Sequence, residues 1–166
     1  MTVIRHVFEA GDALFPTSNP AAPILIQGTN FPISGLAFDP TTTESVFFTF
    51  PAIGYGDTPQ VKVEWYADTA TSGGISFDIA VACITPNTDT QDIETKALSS
   101  HSNNIDTHLG TTGQRLHTFT IELFFQDSLA ANDHVVLLLQ RNTGDSFDDL
   151  TGDVIVTRAI FLYNEV

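Results

Sequence analysis

Five histidines, His6, His101, His108, His117 and His134, are the first residues to weigh for chemistry, because neutral imidazole is the commonest metal ligand. None stands at a tight ligand spacing from another. Asp106 and His108 lie two apart, which would put both on one face of a strand, with His101 nearby in the same loop. Such a trio would be the start of a zinc or iron site. There is no His-x-His pair, however, and the plainer reading is a set of solvated loop histidines.

A second group is Asp145, Asp148, Asp149 and Asp153, spaced D-x-x-D-D-x-x-x-D in a Gly-containing turn. Oxygen ligands gathered in this way suit calcium. The spacing lacks the alternate acids and terminal Glu of an EF-hand loop, so these four are calcium candidates set against a solvated turn with Asx-type capping. No other metal is expected. Glu64 and Glu122 form the one acid pair on outward strand faces that glycoside hydrolysis could use, although lone outward acids usually only solvate a surface. The chain contains no Gly-x-Ser-x-Gly elbow, phosphate-cradling loop or dinucleotide fingerprint. No catalytic residue and no cofactor are therefore expected.

Aromatic rings offer a third chemistry, the stacking platform of a carbohydrate-binding module. Trp65 falls in register with Val61 and Val63 and reads as core. Tyr66, on the opposite face, and Tyr55, in a Gly-Tyr-Gly turn, are the candidates for exposure.

The 166 residues are enough for one domain. Twenty acidic residues against six basic give a net charge of −14. Such a field repels phosphate backbones and anionic membranes, so neither nucleic acid nor membrane is an expected partner. Cys83 is the only cysteine, which excludes an intramolecular disulfide, and it lies on an apolar strand face as a buried thiol. The start MTVIRHVFEAGD lacks the apolar core of a signal peptide, which predicts synthesis in the cytoplasm without export.

These residues must be positioned by strands. Gln60–Ile84 reads as a hairpin: Val61, Val63 and Trp65 face one way and Lys62, Glu64 and Tyr66 the other. After the turn DTATSGG, Ile75, Phe77, Ile79, Val81 and Cys83 share a face opposite Ser76, Asp78, Ala80 and Ala82. Residues 2–8 predict a first strand. The segment that follows holds Pro16, Pro20, Pro23 and Pro32, and proline is excluded from central strands. It is apolar all the same, and predicts an extended arm lying on its own sandwich or on a neighbouring subunit. Leu14, Phe15, Ile24, Leu25, Ile26 and Phe31 are its interface candidates. Residues 1–43 are thus read as strand plus arm, and 44–166 as a β-sandwich.

Further along, ESVFFTF places Val46, Phe48 and Phe50 inward. The 86–113 stretch is a polar loop with a short strand around Ile93–Leu98, and is the first candidate for a recognition surface. RLHTFTIELFF puts Phe119, Ile121, Leu123 and Phe125 inward, and HVVLLLQR is apolar enough to be covered on both faces. The last strand sets Val154, Val156, Ile160 and Leu162 against Ile155, Ala159, Phe161 and Tyr163, interrupted at Arg158. The whole predicts an all-β, antiparallel two-sheet sandwich of about eight strands, jelly-roll-like.

The stretches VEWYADTATSGGISFDIAVACI, TFTIELFFQDSLAANDHVVLLLQRN and LTGDVIVTRAIFLY, covering roughly residues 60–163, resemble small β-sandwich virion proteins of tailed bacteriophages. That resemblance implies a capsid cement (decoration) protein, a homotrimeric jelly roll with the major capsid protein as partner, and no enzymatic activity. It implies a place in the virion, assembled in the host bacterial cytoplasm. The alternative is a tail- or fibre-associated receptor- or carbohydrate-binding module working through the 86–113 loop.

Overall fold

The computed structural model describes residues 2–166, in which alternating apolar residues build ten strands and one short 3-10 turn, Ala10–Asp12. The strands are β1 (Val3–Phe8), β2 (Ala22–Gln27), β3 (Pro32–Phe38), β4 (Ser45–Pro51), β5 (Tyr55–Ala67), β6 (Gly74–Ile84), β7 (Ser102–Thr107), β8 (His117–Glu122), β9 (His134–Arg141) and β10 (Val154–Glu165). All named pairs are antiparallel. A six-stranded sheet runs β2-β3-β10-β5-β8, with β1 also on β10, and a four-stranded sheet runs β4-β9-β6-β7. Strand β10 is the spine of the larger sheet. One edge pairs with β5; the other pairs with β3 at Val154–Val156 and with β1 from Ala159 to Asn164.

The core between the sheets is rich in phenylalanine, as the composition suggests. Phe8 stacks on Phe48 with centroids 4.8 Å apart, Phe38 meets Phe77 edge-on at 5.1 Å, and Phe50 meets Phe161 at 4.7 Å. Such pairs add to the burial of each ring.

Several expectations need correction. The Gln60–Ile84 stretch is not a hairpin: β5 pairs with β10 and β8, whereas β6 pairs with β9 and β7. The faces are as predicted, but they meet across the core, and DTATSGG carries the chain from one sheet to the other. Residues 22–38, predicted to run as an extended arm, are a hairpin instead, β2 and β3. Its prolines occupy permitted places, since β2 is an edge strand and Pro32 opens β3. Residues 93–98 form a turn followed by irregular chain, not a strand; the strand of that loop is β7, Ser102–Thr107. Strand β8 ends at Glu122, and Phe125, predicted inward, is exposed.

The faces of β10 also differ from simple alternation. Val154, Val156, Ala159, Phe161 and Tyr163 all belong to the core, because the register with β5 slips between Val156 and Arg158. A β-bulge inserts one residue and reverses the parity beyond it.

Candidate functional site

The faces of β5 decide which side chains are available for function. Trp65 is fully buried in the core, where its Nε1–H donates to Asp106 Oδ2 at 2.9 Å. Tyr66 therefore points to the outer face of the six-stranded sheet, but neighbouring side chains cover it and it is buried, against the expectation of an exposed ring. Tyr55, the other exposure candidate, is buried, and its hydroxyl donates to Gln126 Oε1 at 2.9 Å.

On that outer face lies a groove of about 500 Å³, within the range of small-ligand sites. Its apolar floor continues a small cluster of Ala37, Tyr66 and Ile155 with Ile24, Ile26 and Ile33. Strand β5 supplies Glu64 and Tyr66, with Asp68 just beyond its end; the bulge of β10 supplies Thr157; the loop before β8 supplies Gln114 and Leu116. At the turn between β2 and β3 stands Phe31, 67% exposed. Gly28 allows that turn, since a Cβ there would lie 2.6 Å from the Phe31 carbonyl oxygen. From β2 to β8 the sheet spans on the order of 20 Å at the usual strand spacing, enough for an extended ligand.

The polar groups of the groove are partly committed. Thr157 Oγ1 donates to Glu64 Oε1 at 2.8 Å. Gln114 Nε2 donates to the Asp68 carbonyl, and the Gln114 amide oxygen accepts no hydrogen bond among the described residues. Tyr66 is only 5% exposed, yet its hydroxyl has no hydrogen-bond partner among the described residues. Leaving a buried hydroxyl unpaired costs about 1–3 kcal/mol. Burial, and then the nearby charge of Asp68, hold the Tyr66 phenol above its ordinary pKa.

Two histidines fix the loop that brings Gln114 and Leu116 to the groove. The Gly110 N–H donates to His108 Nδ1 at 3.0 Å, and His108 Nε2–H donates to the Gly113 carbonyl at 2.8 Å. The Leu109 N–H donates to His117 Nε2 at 3.0 Å, while the His117 ring stacks on Trp65 with centroids 4.5 Å apart. Each ring accepts a hydrogen bond from a backbone N–H. They are structural members of the fold; of the two loop histidines that the plainer reading leaves solvated, His108 is thus buried, whereas His101 is exposed. Asp106 is engaged by Trp65 rather than poised beside His108 for a metal.

The His117 pKa lies below its ordinary value, chiefly through burial and next through neighbouring His108, with Asp106 opposing and Arg115 also near. A lowered histidine pKa means that the unfolded chain binds the extra proton first, so stability is complete above about pH 6.5 and declines as pH falls through the folded pKa. Half-buried His6 contributes with the same sign, lowered by burial. Thermal melts between about pH 8 and 5 should show the midpoint falling on the acid side, and His117→Gln should flatten part of that slope. A midpoint that rises toward acid would contradict this assignment.

The other candidates are dispersed. The acidic turn is organised around a protein cation: Asp148 pairs with Arg141 at 2.7 Å, both fully buried, and also accepts from the Ser76 N–H. Asp145 accepts from the Ser76 hydroxyl and the Phe147 N–H, and Asp149 from the Gly74 N–H. Among the described residues these acids and Asp153 do not gather as a cluster of metal ligands. Glu122 lies opposite Gln60 and Glu64 opposite Thr118, so the two acids stand roughly 13 Å apart along the strand, too far for a glycosidase pair. Cys83 is buried, with its thiol pushed up to about 12 by burial first and Asp127 second.

Of the interface candidates, Ile26 and Phe31 line the groove and Ile24 packs beside it. Leu25, Leu14 and Phe15 are exposed elsewhere, Leu14 bridging to Phe47 at the edge of β4. The 86–100 part of the predicted recognition loop runs beside the four-stranded sheet: Ser99 exchanges hydrogen bonds with Val81 of β6, Ile93, Lys96 and Leu98 line a shallow pocket with Ala82, Ile84 and Phe47, and residues 86–95 are exposed. Gln114 and Leu116, just beyond that loop, are groove residues that sequence reasoning missed. Neither belongs to a motif; only the β5–β8 pairing brings them there.

Fold and groove together define a jelly-roll-like antiparallel β-sandwich with an amphipathic groove across one outer face. No family model and no curated protein matches the sequence. Among solved structures, the chain is similar to the CBM36-1 domain of a multidomain xylanase from the hindgut metagenome of Trinervitermes trinervoides, at TM-score 0.52 and 10% identity, over 98% of this chain and 100% of that one. It is also similar to the mosquito-larvicidal Cry4Aa toxin from Bacillus thuringiensis, at TM-score 0.50 and 11% identity, over 98% of this chain and 24% of the toxin. At such identities the likeness is one of fold.

Proposed function

We propose that the chain is a non-catalytic glycan-binding module whose ligand lies in the groove across the six-stranded sheet. The observation that carries this reading is the groove's composition: an exposed ring, Phe31, and a floor ring, Tyr66, among aliphatic side chains, rimmed by Glu64, Asp68, Gln114 and Thr157. Aromatic faces carry negative charge density and attract the slightly positive C–H faces of sugars. Carboxylates, an amide and a hydroxyl take the sugar hydroxyls at the rim. A ligand group reaching the Tyr66 hydroxyl recovers the cost of leaving it unpaired. β-1,4-linked sugars with equatorial hydroxyls present the flat C–H faces that suit such rings. The groove is favoured over the 86–113 loop because that stretch holds no Phe, Tyr or Trp on which a sugar face could stack.

Calorimetric titration with cello-, xylo- and N-acetylglucosamine oligosaccharides tests this. At least one should bind, and Phe31→Ala, a change at an exposed side chain, should weaken it about tenfold, or about 1.4 kcal/mol. Affinity untouched by Phe31→Ala would overturn the assignment of the groove.

A virion coat protein, a trimer held to the major capsid protein, is the second reading. Exposed Leu14, Phe15 and Leu25 favour it, since apolar side chains at an edge suit subunit contacts. A monomer by light scattering would remove the trimer.

A further inference from the structure

We infer that the groove selects ligands bearing a protonated amine, which within the glycan reading above, on which this rests, means de-N-acetylated amino sugars over acetylated or uronic ones. Glu64 and Asp68 lie two residues before and two after Tyr66, and all three line the groove, so two carboxylates flank one aromatic ring. Only one oxygen of Glu64 is engaged by a donor, the Thr157 hydroxyl, and the Asp68 carboxylate receives no hydrogen bond among the described residues. Both therefore have acceptor capacity directed to solvent or ligand. The lining contains no lysine, arginine or histidine.

The nearest basic side chains form no ion pair with Glu64 or Asp68 among the described residues. Arg115 donates to the Leu109 carbonyl at 3.4 Å. Lys62 and Arg158 neighbour Glu64 in the sheet, but the ion pairs among the described residues are Lys96–Asp127, His101–Asp78 and Arg141–Asp148. The buried, unpartnered Tyr66 hydroxyl marks the same place as incomplete.

An ammonium group satisfies each of these features. It donates up to three hydrogen bonds, and those to carboxylates are stronger than neutral ones. It also gains from the exposed face of Phe31 by cation–π attraction. A uronic acid would instead meet two like charges at the rim, in the field of a chain of net charge −14.

The test compares glucosamine and N-acetylglucosamine hexamers just below neutral pH, with wild-type protein and Glu64→Gln/Asp68→Asn. Wild type should bind the amine-bearing hexamer at least about tenfold more tightly, and the preference should shrink with added salt. In the double variant the ratio should approach one, the affinity for the amine-bearing hexamer falling severalfold further than that for the acetylated one. Should the double variant melt early, Asp68→Asn alone, a change at an exposed residue, should lower the ratio severalfold. Equal binding of both hexamers by wild type overturns the amine selection and leaves the glycan groove standing. Binding of neither hexamer nor of any neutral oligosaccharide overturns both.

Discussion

Replacing Arg141 with methionine will cost this fold about 3–5 kcal/mol, the penalty for breaking a fully buried ion pair. Arg141 ends the inward face of β9 and is wholly enclosed. All its donors are used: Nε and one Nη hold the Asp148 carboxylate, and the remaining Nη bonds go to the carbonyls of Phe38, Gly152 and Leu150. One guanidinium thus ties the end of β3, the acidic turn and the entry to β10 together. Asp148 in turn accepts from Ser76 of β6. Methionine fills much of the volume but leaves a buried carboxylate and three carbonyls unpaired, and lysine offers too few donors for this planar arrangement. Urea unfolding should show the midpoint falling by between about 1 and 3 M at an ordinary denaturant slope. A double change, Arg141→Met with Asp148→Leu, should recover part of the loss, because removing both charges costs less than removing one. A single-variant loss below about 1 kcal/mol would mean that the guanidinium does not hold this corner.

Deleting Ile155–Val166 has a still larger consequence, loss of the cooperative fold. Strand β10 lies at the centre of the six-stranded sheet and pairs with β1, β3 and β5. Removing it takes Ile155, Val156, Ala159, Phe161 and Tyr163 from buried positions. The larger of these side chains contribute about 1.5–3 kcal/mol each by burial alone, which approaches the whole stability of an ordinary domain, about 5–15 kcal/mol. The deletion also leaves unpaired edges on three strands, a route to aggregation. Insoluble product or a broad, non-cooperative melt is expected; a soluble protein with a sharp melt would refute the sheet order.

Part of this architecture is legible in the residues and part is not. Period-two alternation places Val61, Val63 and Trp65 inward and Tyr66 outward, because one face of each strand is buried. It does not say which sheet a strand joins, which is why β5 and β6 read as a hairpin although they face each other across the core. Parity fails at Thr157, where the bulge adds a residue without a composition signal. Strand β7, SNNIDT, is polar because it lies at the edge of its sheet with most of its side chains exposed. The prolines around β2 point to an arm, yet edge strands tolerate them. For the groove, Tyr66 was legible as an outward ring and Phe31 as an apolar side chain on the surface. Their meeting depends on β3, β10 and β5 lying side by side, a long-range pairing that no local pattern encodes.

The groove as the working surface is tested most directly by residue-resolved NMR while the tightest-binding oligosaccharide is titrated in. The amide signals of Phe31, Glu64, Tyr66, Asp68, Gln114 and Thr157 should move together and saturate at a common affinity. Shifts confined to residues 86–100 or to the edge carrying Leu14 and Phe15, with the groove amides unmoved, would contradict it.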